Sequence, residues 1–226
     1  MRSALLILLL LLIPRLACGG TIVGTVRAEG KAEPGGPGSS GGRYDSRKYK
    51  FVERVNYAEL DGFLVFIDQE VTNAPAMKPR TLQVITQRDA CFHPHVLPLP
   101  VGTTVEWPNH DDIYHNVFSM SEPNSFDLGL YKDPVIKSNR FDHAGRVDVF
   151  CSIHTKMSCV ILVLQNPYYA AVEKSGQYRI ENVPAGTYKL KAWHERIPAR
   201  TEQVVVPENG EARVDFALGI KGLPQY

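Results

Sequence analysis

With 226 residues and 44% hydrophobic content, the chain is long enough for one large or two small packed cores. Its 25 basic and 24 acidic residues nearly cancel, which leaves no electrostatic basis for nucleic-acid binding or a polybasic membrane surface. Four cysteines are too few for a disulfide scaffold.

The chain opens with Met1, Arg2 and Ser3, followed over 4–13 by residues that are almost all Leu and Ile. A charged start and a short apolar stretch predict an export signal over residues 1–19, too short to span a bilayer comfortably. The small residues Ala17, Cys18 and Gly19 suit cleavage, whereas lipid attachment at Cys18 would want an aliphatic residue where Arg15 stands. A soluble mature protein, periplasmic or secreted, is therefore expected, without an integral membrane segment after signal cleavage. Residues 28–43 carry turn formers and no core residues, and read as a flexible loop. Arg43, Arg47, Lys48, Lys50 and Arg54 then fall among aromatics, a pattern that reads as a solvated segment or as a basic docking surface for an acidic redox partner.

Nearly everything else reads as β-structure. Alternating or β-branched runs are expected to form strands at 21–26, 63–67, 82–86, 96–101, 103–107, 147–151, 160–164, 177–180, 187–193, 203–206 and 212–216, with turn signals between them. The class is all-β, built from sandwiches.

Between the runs 147–151 and 160–164 lies the segment that carries chemistry. Cys151, His154 and Met157 offer a thiolate, an imidazole and a thioether from one short loop, and soft sulfur ligands beside imidazole favour copper. A blue-copper site needs a second imidazole, and His115 supplies it. Strand alternation places Val147, Val149 and Cys151 on one face, so the thiol should point inward with the valines. Burial disfavours a thiolate, but a bound metal ion reverses that preference. A structural zinc site would close its tetrahedron with further Cys or His, where this loop provides a thioether.

The region 81–164 resembles the cupredoxins. The resemblance rests on Phe92-His93-Pro94, the run from Val101 to Asn109 (Val-Gly-Thr-Thr-Val-Glu-Trp-Pro-Asn), His115-Asn116-Val117-Phe118, the run from Phe141 to Gly145 and the terminal Cys-x-x-His-x-x-Met, in that family's order and spacing. The two-residue gap between His154 and Met157 is similar to that of the amicyanins. The resemblance implies one type 1 copper held by His115, Cys151, His154 and Met157, and makes Asn116 a residue that ties the two ligand segments together by hydrogen bonds. It also places the strands near Cys91 and Cys159 side by side at the copper end, which raises a Cys91–Cys159 disulfide as an expectation. His93 and His95 form a lone His-x-His pair, so no oxygen-reducing copper cluster can be assembled within one chain, and both read as surface or supporting residues. His110, Asp111 and Asp112 read as loop and turn residues. His143 and His194 read as bland, and Trp193 reads as core.

The C-terminal run from Ala171 to Trp193 resembles the carboxypeptidase regulatory-like, transthyretin-like sandwich, and the strands at 21–26 and 63–67 complete such a unit. A cupredoxin Greek-key sandwich over 76–165 is therefore expected to be inserted in, or in tandem with, a second small β-sandwich made of 20–75 plus 166–226. These resemblances imply an exported one-electron carrier, not an enzyme, cycling Cu(II) and Cu(I) between a donor and an acceptor protein, with amine oxidation as a candidate pathway. Copper storage or delivery, or a non-redox cell-envelope module with a structural cupredoxin domain, are the alternatives. The second sandwich would bind carbohydrate or protein.

Overall fold

The computed structural model describes residues 19–29, 62–72, 74 and 82–219. The expected signal segment up to Cys18, most of the loop at 28–43, the basic segment and the junction at 75–76 lie outside the described residues. Among those described, every regular element is a strand, and none forms a helix able to cross a membrane.

In chain order the strands are β1 (Gly20–Glu29), β2 (Leu64–Ile67), β3 (Leu82–Val84), β4 (Thr86–Arg88), β5 (Cys91–His93), β6 (Val96–Pro100), β7 (Thr103–Trp107), β8 (His115–Ser119) and β9 (Phe126–Tyr131). They continue with β10 (Lys137–Phe141), β11 (Gly145–Phe150), β12 (Ser158–Leu164), β13 (Tyr169–Ala171), β14 (Gln177–Val183), β15 (Gly186–His194), β16 (Ile197–Val206), β17 (Glu211–Arg213) and β18 (Phe216–Gly219). The class is all-β, as the alternating runs predict.

Two cores form, each from side chains that alternate inward along the strands. In the first, β1 pairs antiparallel with β14 and parallel with β17 and β18, while the second sheet runs β13-β2-β15-β16. Ile22, Val65, Val183, Leu190 and Leu218 are buried between these sheets. Strands from both ends of the chain thus enclose one core. Gly24 is required at the β1–β17 crossing, since a Cβ there would stand 1.7 Å from the carbonyl oxygen of Val214.

The second core lies between the sheets β10-β7-β3 and β6-β12-β11-β8-β9, with the β4–β5 hairpin beside them. Ile85, Trp107, Phe141, Val147, Val149 and Ile161 have no exposed side-chain surface there. On β12, Cys159, Ile161 and Val163 face this core, while Val160, Leu162 and Leu164 face away and pack on Leu64 and Phe66 of β2. That third apolar cluster joins the two cores and is flanked by Tyr169 and Trp193. Arg146 lays its guanidinium over the Trp193 ring at 5.8 Å, so Trp193 packs at the junction of the cores. His95 adds a polar contact, with one ring nitrogen 3.0 Å from the Ser158 carbonyl and the other 2.7 Å from the Glu195 carboxylate.

Several elements differ from the sequence expectation. The run 82–86 is divided into β3 and β4, and the run 212–216 is broken between β17 and β18. Strands β9 and β10 carry too few inward apolar residues to register as alternation, and backbone pairing with β8 and β7 defines them. The Cys91–Cys159 disulfide is not made. Cys159 points into the core, Cys91 is exposed, and both are free thiols. The parallel β6–β12 register sets Val160 opposite Val96, so Cys159 lies level with His95 rather than with Cys91.

Candidate metal centre

Strand β11 ends at Phe150, and β12 resumes opposite it at Ser158. Between them the loop closes on itself through two backbone hydrogen bonds. Cys151 N–H donates to the Met157 carbonyl at 3.1 Å, and Met157 N–H donates to the His154 carbonyl at 3.0 Å. The alternation of β11 carries through to its last inward position, with Val147 and Val149 fully buried and Cys151 only 6% exposed. Met157 is buried in the same core.

His115 arrives from another direction. It opens β8, which pairs with β11 through Phe118 and Phe150, and that pairing brings it against the loop. Its side chain is completely buried. His115 Nδ1 stands 3.0 Å from His154 Nδ1, and Cys151 Sγ is 3.6 Å from the same His154 nitrogen. One nitrogen of each imidazole and the Cys151 sulfur lie within 4.8 Å of one another. The structure therefore brings His115, Cys151 and His154 together, with Met157 buried at the end of the same loop.

The donor set fits a transition-metal ion. Donors bound about 2.0–2.3 Å from one ion stand no more than about 4.6 Å apart; the two spacings to His154, 3.0 and 3.6 Å, fall within that limit, and the third pair stays inside 4.8 Å. Two imidazoles with a thiolate form the trigonal set that blue-copper sites use, and a thioether is the usual weak axial donor. The residues could also hold other soft-ligand metals, but the thioether favours copper over structural zinc.

Two supporting residues differ from the sequence expectation. Asn116 does act on the site, but through its backbone, whose N–H donates to Cys151 Sγ at 3.5 Å. Its carboxamide turns toward β9 and donates to Asp127 at 2.7 Å, so it does not bridge the ligand segments by side chain. Asp111, expected to be a turn residue, reaches the site directly. Its Oδ2 lies 2.8 Å from His115 Nε2, and the same carboxylate accepts N–H groups of Asp89 at 2.8 Å and Ala90 at 3.0 Å. Burial pushes its carboxyl up, but the bonds from Ala90, His115 and Asp89 outweigh that and hold it below the ordinary carboxylate value. Asn109 shapes the intervening turn, donating to the carbonyls of Ile113 and Tyr131 and accepting the Asp111 N–H. A carboxylate four residues before a candidate ligand His was the available sequence signal, but its hairpin partners lie more than twenty residues away.

The remaining histidines stay outside the centre. His93 is exposed, His95 joins the two cores, and the His143 carbonyl accepts the Asn124 carboxamide. His194 stacks 4.8 Å from Phe63 in the first core. The backbone N–H of His110 donates to Gln87, and Asp112 is exposed.

Comparisons with known proteins give only partial matches. A family profile described as polysaccharide lyase family 4, domain II, matches residues 162–214. No curated protein matches the chain. Among solved structures, a purple cupredoxin from Nitrosopumilus maritimus is 23% identical, covering 37% of this chain and 99% of its own, at a TM-score of 0.33. A copper-containing nitrite reductase from Thermus scotoductus SA-01 is 28% identical, covering 43% of this chain but 25% of its own, at a TM-score of 0.36. A reduced amicyanin mutant is 25% identical, covering 44% of this chain and 98% of its own, at a TM-score of 0.35. All three likenesses are partial in coverage and low in score, and the chemistry of the centre stands on its own side chains.

Proposed function

We propose that this chain is an exported one-electron carrier that holds a single type 1 copper on His115, Cys151, His154 and Met157. The observation that carries this reading is the convergence of two imidazole nitrogens and one thiol, His115 from the start of β8 and Cys151 and His154 from the β11–β12 loop, 3.0 and 3.6 Å apart, beside the buried thioether of Met157. Bound there, copper supplies a Cu(II)/Cu(I) couple that exchanges one electron. The side chains do the rest. His115 is fixed by its burial and by Asp111, Cys151 receives the Asn116 N–H, and the loop's own hydrogen bonds hold His154 and Met157 in register. Four protein donors leave no designed open position for a substrate, which is why we read the chain as a carrier and not an enzyme.

Its surroundings suit a docking redox protein. Ile113 and Tyr114 precede His115, and Ile153 precedes His154, all three roughly half exposed on the segments that bring the ligands in. In this reading the carrier is the unit over 76–165, set within a sandwich of 20–75 plus 166–226. The pairing of β1 with β14, β17 and β18 supports that arrangement. The sandwich would position the carrier or bind a further partner, and the family match over 162–214 makes polysaccharide the first ligand class to test. The export signal expected over residues 1–19 would send such a carrier to the periplasm or outside the cell.

Copper titration of the purified protein tests the centre. An intense visible thiolate-to-copper band should saturate at one ion per chain and vanish in Cys151→Ser. A colourless copper-treated protein would sink the assignment, and a copper that binds but fails to cycle rapidly and reversibly would favour storage or delivery.

A further inference from the structure

We infer that Asp111 is a positioning residue of the metal centre, one that fixes His115 as an Nδ1 ligand and lowers the reduction potential of the ion held there, an inference that rests on the copper reading above. A carboxylate accepts hydrogen bonds and donates none. With Oδ2 at 2.8 Å, the Nε2 atom of His115 must therefore carry a proton, and in the neutral imidazole the lone pair is left on Nδ1. Nδ1 is the atom that faces His154 Nδ1 at 3.0 Å. The tautomer and the aim of the ring are thus set from behind the ligand.

What holds Asp111 is unusual for a loop residue. Residues Asp89 and Ala90 form the two-residue turn between Arg88 and Cys91, and both adopt positive φ, 55° and 52°. Turned this way, their N–H groups meet the carboxylate at 2.8 and 3.0 Å. One oxygen is occupied by Asp89, and the other is shared by Ala90 and His115. Rotation of the carboxylate would break these bonds together. The β4–β5 hairpin therefore clamps Asp111, and Asp111 clamps His115, so a turn with no ligand of its own contributes to the rigidity of the centre.

Two consequences follow. A carboxylate bonded to the distal nitrogen makes an imidazole a more basic ligand, and loss of such a partner costs about 10- to 100-fold in metal affinity. A negative charge one imidazole away also favours the more positive oxidation state, which lowers the potential.

Three substitutions in the full-length protein test this with copper alone as the probe. Asp111→Asn keeps an oxygen toward His115 but removes the charge. It should retain the visible band, and its potential should rise. Asp111→Ala should raise the potential as well and increase the copper dissociation constant by about 10- to 100-fold. Asp142→Asn removes an exposed carboxylate paired with Arg140, and it should change neither property. Wild-type potential and affinity in both Asp111 variants would overturn the inference. Should the variants fail to fold, nitrogen NMR of the wild-type Cu(I) protein decides. A protonated Nε2 with a coordinated Nδ1 on His115 supports the role, and the reverse tautomer refutes it. A colourless wild-type protein sinks the copper reading and this inference with it, whereas a coloured wild type with unmoved variants sinks only the role of Asp111.

Discussion

Truncating Leu64 tests whether the two cores behave as one folding unit. Leu64 lies on β2, whose other face lines the first core, yet its own side chain is 3% exposed and packs with Val160, Leu162 and Leu164 of β12. Leu-to-Ala changes in packed cores cost about 2–5 kcal/mol, and the lower end applies where the surroundings can relax or hydrate. This cluster has only five buried members, and a cleft of about 290 Å³ lined by Phe66, Arg146, Leu162 and Trp193 adjoins it. About 2–3 kcal/mol is therefore expected for Leu64→Ala. The chain has two tryptophans, and Trp107 is fully buried in the second core. In a Trp193→Phe background, fluorescence reports unfolding of that core alone. If the cores unfold together, Leu64→Ala should lower the urea midpoint read at Trp107 by about 1 M, given slopes of about 2–3 kcal/mol/M for a chain of this size. A change at Trp107 no larger than that of a surface substitution, about 0.5 kcal/mol, would refute the coupling.

Other outcomes are equally concrete. In a metal-free chain starting at Gly19, Cys91 should react rapidly with a thiol reagent while Cys151 and Cys159 react only on denaturation, because burial shields both; three equally fast thiols, or none free, would contradict the structure. Gly24→Ala should cost about 1–3 kcal/mol or more in thermal or urea unfolding, since its Cβ meets the Val214 carbonyl. The Asp215 carboxyl is held below its ordinary value of 3.8 by Arg213 and Thr25, so its contribution to stability is present above that value and is lost as pH falls through the depressed one. Asp215→Asn should accordingly flatten the acid limb of a urea-midpoint profile, and an unchanged limb would remove that group from the account.

What the sequence disclosed and what it withheld divide along physical lines. Val147, Val149 and Cys151 were legible as one inward face because β11 has a core side, and strict alternation follows from that. The gathering of donors in Cys-x-x-His-x-x-Met is local, so spacing alone displayed it. Phe126, Leu128, Tyr131 and Phe141 are the few apolar residues of β9 and β10 that turn inward, on strands otherwise largely exposed, and such strands exist because β7 and β8 offer them backbone partners. Asp111 was illegible as a supporting residue because its role depends on Asp89 and Ala90, which reach it only after the hairpin folds. Asn116 shows the complementary error. Its position beside a ligand was informative, but its backbone performs the contact that its side-chain type suggested.

The two hydrogen bonds that close residues 151–157 on themselves bear on how such a centre can change. Because the register Phe150 to Ser158 is set by β11 and β12 outside the loop, the segment between them behaves as a removable cassette. Residues can be exchanged, added or lost within it while the β11–β12 register outside it is kept. Selection can therefore alter three of the four candidate donors in a single short stretch of gene and leave the fourth, with its carboxylate and hairpin, as the fixed half of the site.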